Sequence, residues 1–134
     1  MPVTVVLDTN MLTVPAQFGL DIFKEAEKEL ERSVNFVVIE PVVRELERKL
    51  NQLTGTEKRK FMVALDLLKR CTIVKVSDSD SMQPVDQLIL VFAKSINGVI
   101  ATNDRGLINR AILEGVPVLF LRGKKRLRLR GIIR

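Results

Sequence analysis

Four carboxylates in this chain of 134 residues stand where acidic side chains can do chemistry. Asp8 closes the run Val3-Thr4-Val5-Val6-Leu7, and Asp104 follows Val99-Ile100-Ala101-Thr102-Asn103. Asp86 lies two residues after Pro84, where a helix dipole tolerates an anion, and Glu45 lies one turn after Pro41. With no His and a single Cys, triads built on His and zinc sites are set aside. Any metal here must be held by oxygen, which points to Mg²⁺ or Mn²⁺. Uncompensated carboxylates repel one another, so a fold that gathers three or four of them implies bound cations. Each acid also has an ordinary reading. Asp8 opens a turn, Asp104 caps the next helix, Asp86 improves a helix dipole, and Glu45 pairs with Lys49 for ~0.3–0.5 kcal/mol. The residues alone leave both readings open, and only convergence in space decides between them.

The elements that must position these acids alternate in type. Residues 3–7 have the composition of a strand buried on both faces, and Thr9 and Asn10 are turn and cap types. Ligands of open parallel sheets gather outside the carboxyl ends of the strands, which puts Asp8 at the mouth of a site. Residues 11–19, with Pro15 and Gly19, read as a loop or broken turn. Ile22, Phe23, Ala26 and Leu30 mark an amphipathic helix, and residues 36–39 a second buried strand. Pro41 opens a helix striped by Val42, Val43, Leu46 and Leu50, with Glu45 near the rim of that stripe. Beyond a hinge at Gly55, a helix runs to Arg70, and residues 73–76 form a third strand. The polar stretch 77–83 is a loop. Pro84 starts a helix that buries Leu88, Ile89, Phe92, Ala93 and Ile96, capped by Asn97-Gly98. Residues 99–102 make a fourth strand, 107–112 a helix ended by Gly115, and 116–121 a fifth strand. Leu127, Leu129 and Ile132 lie among Arg126, Arg128 and Arg130, the pattern of a basic edge strand or extended arm. The whole predicts a single α/β domain over residues 1–134. It is a three-layer sandwich with a central, mostly parallel sheet of about five strands and a basic strand or arm at 122–134.

An apolar fraction of 46% is too high for a disordered chain. No apolar run approaches the roughly 18–20 residues of a membrane span, so no membrane partner is expected. The first apolar run ends at Asp8, too short for a signal peptide, and the lone Cys71 fits a reducing cytoplasm. The net charge is +6, and seven of the 22 basic residues fall between Arg122 and Arg134, a segment without an acid. The rest of the chain is balanced to within one charge, so the excess sits in the tail and suits a polyanion. A solvated basic edge is the plain alternative. Aromatic stacking is poorly provided for, with no Trp or Tyr and six Phe mostly at core spacing.

The sequence resembles the PIN domain family of metal-dependent ribonucleases. The matching stretches are Val5-Val6-Leu7-Asp8-Thr9-Asn10, Pro41-Val42-Val43-Arg44-Glu45-Leu46, Val85-Asp86-Gln87-Leu88, and Ile100-Ala101-Thr102-Asn103-Asp104-Arg105. The last runs on into Gly115-Val116-Pro117-Val118. The resemblance implies an acidic quartet of Asp8, Glu45, Asp86 and Asp104 holding one or two Mg²⁺ or Mn²⁺ ions, with Asn10 and Thr102 as polar helpers. It implies an endoribonuclease cutting single-stranded or structured RNA. Arg105, Arg110, Lys124, Lys125, Arg126, Arg128 and Arg130 would bind the phosphates. Many members carry a second acid beside the third; here Val85 and Gln87 flank Asp86, which weakens a second metal site. Gly123-Lys124-Lys125-Arg126 looks most like an archaeal branch related to small-subunit ribosomal-RNA processing nucleases. The likeness carries three further expectations: a toxin held by an antitoxin, a non-catalytic scaffold among ribosome-assembly factors, and a homodimer.

Overall fold

The computed structural model describes residues 2–77 and 82–134. Most of the polar stretch expected as a loop, residues 78–81, lies outside the described residues. The elements run β1 (Val3–Leu7), α1 (Val14–Phe18), α2 (Ile22–Leu30), β2 (Val34–Ile39), α3 (Glu40–Gln52), α4 (Gly55–Leu67), β3 (Thr72–Val74), α5 (Val85–Ser95), β4 (Val99–Ala101), α6 (Arg105–Leu113), β5 (Val118–Arg122) and β6 (Arg126–Arg130). The sheet has six strands in the order β3-β2-β1-β4-β5-β6. Five are parallel, and β6 pairs antiparallel to β5. The basic segment foreseen as an edge strand or arm is that sixth strand.

β1 is central because its residues tolerate burial on both faces. Val5, Val6 and Leu7 are at most 1% exposed, as a strand covered by helices on both sides requires. From β1 the chain adds β2 and β3 outward on one side, then crosses through α5 to add β4 and β5 on the other. The order thus reverses between β1 and β4, where open α/β sheets leave a crevice.

Some expectations change. Residues 11–18 are helical: a 3₁₀ turn over Met11–Thr13 runs into α1, which Gly19 ends in the left-handed conformation at φ 67°. Pro15 sits at the helix start, where its ring sets φ and no N–H is missed, so it promotes this helix. The third strand begins one residue earlier and is an edge, with Thr72 and Ile73 exposed. Ile96, assigned to the core, is 39% exposed just past the end of α5.

α3 is fixed by its apolar face, with Val42 and Leu46 wholly buried. Glu45 precedes Leu46, so burying that Leu also sets the direction in which the carboxylate leaves the helix. We expect Leu46→Ala to cost about 2–5 kcal/mol in urea unfolding. Leu113→Ala, at a side chain 86% exposed, should stay within about 0.5 kcal/mol.

Candidate active site

The backbone N–H of Asp8 donates to the Ala101 carbonyl at 3.2 Å, carrying the β1–β4 pairing one residue past β1. The Asp8 side chain is 7% exposed. Its Oδ1 accepts from the Met11 N–H at 2.8 Å, closing the turn after β1, and its Oδ2 accepts the Thr102 hydroxyl. Thr102 is completely buried, and its Oγ1 accepts from the Asp104 N–H at 3.0 Å. One hydroxyl therefore ties the segment carrying Asp8 to the segment carrying Asp104. Asp104 caps α6, its Oδ2 accepting from the Leu107 N–H at 2.8 Å. Asn103 Oδ1 accepts from the Leu121 N–H at 2.7 Å and pins the same segment to β5.

All four predicted acids line one open cleft of about 600 Å³. Asp8 and Asp104 come from the ends of β1 and β4, Glu45 from α3 and Asp86 from the first turn of α5. The ordinary roles are present as well: Asp8 does close a turn, and Asp104 does cap a helix. Glu45 pairs with Arg48 at 3.7 Å, where Lys49 had been the expected partner. Asn10 also lines the cleft. Burial raises the Asp8 carboxyl to about 6; the bonds from Thr102 and Met11 pull it partly back, and the charges of Asp104 and Glu45 push it up further.

Arg110 of α6 spans two neighbours on α5. Its Nη2 binds Asp86 Oδ2 at 2.5 Å and its Nη1 donates to Gln87 Oε1 at 3.1 Å. The guanidinium expected to take phosphate is thus placed as a counter-ion to one of the four acids. Sequence reading did not single out Arg44, Arg48 and Thr9, which also line the cleft. The two arginines flank Glu45 on α3, a signal usable only once the buried face of that helix is known. Because β6 returns antiparallel, the Arg122–Arg126 hairpin lies at the same edge of the sheet as the acids, with Lys124 and Lys125 in its turn. Arg105 is exposed beside Asp104, while Arg128 and Arg130 continue along β6.

The family model described as "PIN like domain" matches residues 5–124. The chain belongs to the PIN-like domain family. Ribonuclease VapC4 of Methanocaldococcus jannaschii is 30% identical over 132 residues, covering 96% of this chain and 98% of that protein. Ribonuclease VapC9 of Archaeoglobus fulgidus is 30% identical over 121 residues, covering 90% and 84%. The structure of the PIN domain endonuclease Utp24 matches with a TM-score of 0.77 at 21% identity, covering 98% of this chain and 94% of that one, a likeness of fold.

Among the described residues of this PIN-like domain, no three acidic or Cys side chains stand close enough to form a ready-made metal cage. The acids share a cleft without sharing a point. The donor set nevertheless suits a hard divalent cation, being all oxygen. Asp8 holds a carboxylate that burial leaves short of solvation, and the buried Thr9 hydroxyl has no hydrogen-bond partner. Both are deficits that a cation with its waters would relieve.

The raised Asp8 pKa makes a prediction about stability. The folded state holds this proton more tightly than the unfolded chain does, so the contribution of Asp8 is fully present below about pH 4 and lost as pH rises through about 6. The loss by pH 7.5 is about 2–3 kcal/mol. Urea midpoints of the wild type should therefore fall relative to those of Asp8→Asn between pH 4 and 7.5. Two parallel profiles would refute the assignment.

Proposed function

We propose that this chain is a metal-dependent endoribonuclease that cuts single-stranded or looped RNA by hydrolysis. The observation that carries the reading is the convergence of Asp8, Glu45, Asp86 and Asp104 on one cleft at the strand-order reversal. The names of the relatives above support RNA as substrate, and the cationic hairpin at the same edge supports a polyanion.

Asp8 and Asp104 would hold one or two Mg²⁺ or Mn²⁺ ions, with Asp86 and Glu45 completing the set directly or through water. The chemistry supplied on binding is a water made acidic near neutral pH and charge stabilisation of the leaving oxygen in an in-line displacement. The chain contributes the positioning. Thr102 fixes the Asp8 carboxylate, and Asn103 holds its loop against β5. Arg110 balances the charge of Asp86. Arg105, Lys124 and Lys125 give the phosphodiester backbone affinity without choosing a sequence.

Within this reading we favour RNA processing, of ribosomal RNA among the possible targets, because the basic terminal segment is built into the sheet with its hairpin at the carboxyl ends of the strands, where the acids lie. The toxin of a toxin–antitoxin pair is the second reading; it draws on the two relatives named VapC. Growth arrest on expression, relieved by a small protein encoded next to this one, separates the two roles.

End-labelled single-stranded RNA should be cut in the presence of Mn²⁺. Asp8→Asn and Asp104→Asn should each lose at least about a hundredfold in rate, comparable to deleting a main transition-state contact. Undiminished cleavage by both variants would overturn the assignment. In a separate measurement, millimolar Mn²⁺ should raise the wild-type melting temperature by mass action and leave that of Asp8→Asn nearly unmoved.

A further inference from the structure

Beside the acidic cleft runs a second groove of about 740 Å³, between α1, the start of α6 and the β5–β6 hairpin. Its floor is apolar, with the half-buried rings of Phe18 and Phe120 and the side chains of Ile108 and Leu121. Its walls carry Arg105 and Lys124. Asn10 belongs to both this groove and the acidic cleft, and Gly123 belongs to both this groove and a cationic hollow formed by Arg122, Lys125, Arg126 and Arg128. The three sites therefore run with the strand order β1-β4-β5-β6 across three interstrand spacings, about 14 Å. Acids, then half-buried rings edged with cations, then cations alone match a polymer that alternates anionic links with flat apolar faces.

Lys124 adds a second, independent observation. It sits in the hairpin turn at φ 59°, just after Gly123 at φ 65°. Two successive positive φ values are the geometry of a type I′ turn, in which both central positions favour Gly or Asn. A lysine accepts this conformation only at a cost, and its ammonium ends 5.7 Å from the centroid of the Phe18 ring. Backbone strain that sets one cation over one half-buried ring is a sign of a site.

We propose that this groove is a nucleotide subsite: a base next to the cut phosphodiester lies against Phe18 and Phe120 while Lys124 and Arg105 take its phosphates. The proposal rests on the RNA-cleaving reading and adds to it a place for the base. A partner protein segment would use the cations only if it also carried carboxylates, whereas every nucleotide brings a flat ring and an anion together.

The test measures binding apart from cutting. In an Asp8→Asn background, the affinity for fluorescein-labelled single-stranded RNA homopolymers is compared with that for a duplex of equal length. Phe18→Leu and Phe120→Leu keep apolar volume and remove the ring; each should weaken single-strand binding about fivefold or more, and duplex binding much less. Lys124→Gly should leave the melting temperature unchanged or higher, because it relaxes the turn. It should also weaken single-strand binding and lower the salt dependence by roughly the share of one phosphate contact. Unchanged affinity and salt slope in all three variants would overturn the subsite, including the case where they alter only the capture of a partner protein. The two readings fail separately. A wild type that binds RNA through Phe18 and Lys124 but never cuts it would sink the nuclease and keep the subsite.

Discussion

A single hydroxyl holds this site together. Thr102, buried at the end of β4, donates to Asp8 at the end of β1 and accepts from the backbone of Asp104. The two strands are far apart in sequence and adjacent in space, so this contact is where the fold becomes a site. A buried carboxylate is expensive, and the bonds from Thr102 and Met11 recover only part of the cost, which is why its pKa still lies near 6. The remaining deficit makes the position receptive to positive charge. A carboxylate at the same place in water would have no such appetite.

Much of this was legible because burial leaves a strong mark on composition. The valines of β1, the stripes of α3 and α5, and the short run of β4 each have one physical reading. Asp8 and Asp104 sit where β1 and β4 stop, so their arrival side by side followed from the topology. Glu45 and Asp86 reach the cleft from the early turns of α3 and α5. The failures were local. Pro15 looked like a breaker and is a helix starter, since the same ring does either job depending on position. Phe18 fell in a stretch read as a loop and Phe120 in a strand, and neither was marked as a surface ring. Spacing cannot tell a ring that is fully covered from one covered on a single side.

The partners of Arg110 could not be read from sequence either. Arg110 and Asp86 lie 24 positions apart and meet because α5 and α6 pack side by side. A guanidinium near acids has two meanings, phosphate ligand and counter-ion, and only coordinates separate them. Here it offsets repulsion in a cleft that would otherwise hold four negative groups. The protein carries a built-in stand-in for part of the positive charge that its acids require.

The far border of the sheet has another consequence. On β6 the backbone N–H of Leu129 points away from β5 and is taken by Glu29 Oε2 at 2.8 Å, while Arg126, Arg128 and Arg130 alternate along the same strand. An incoming strand would find a donor already occupied and would have to stack its charges against three like ones. Fibril-like growth of the sheet is therefore refused at this border. The β6 arginines thus act as guards against self-association there, so replacing them invites aggregation.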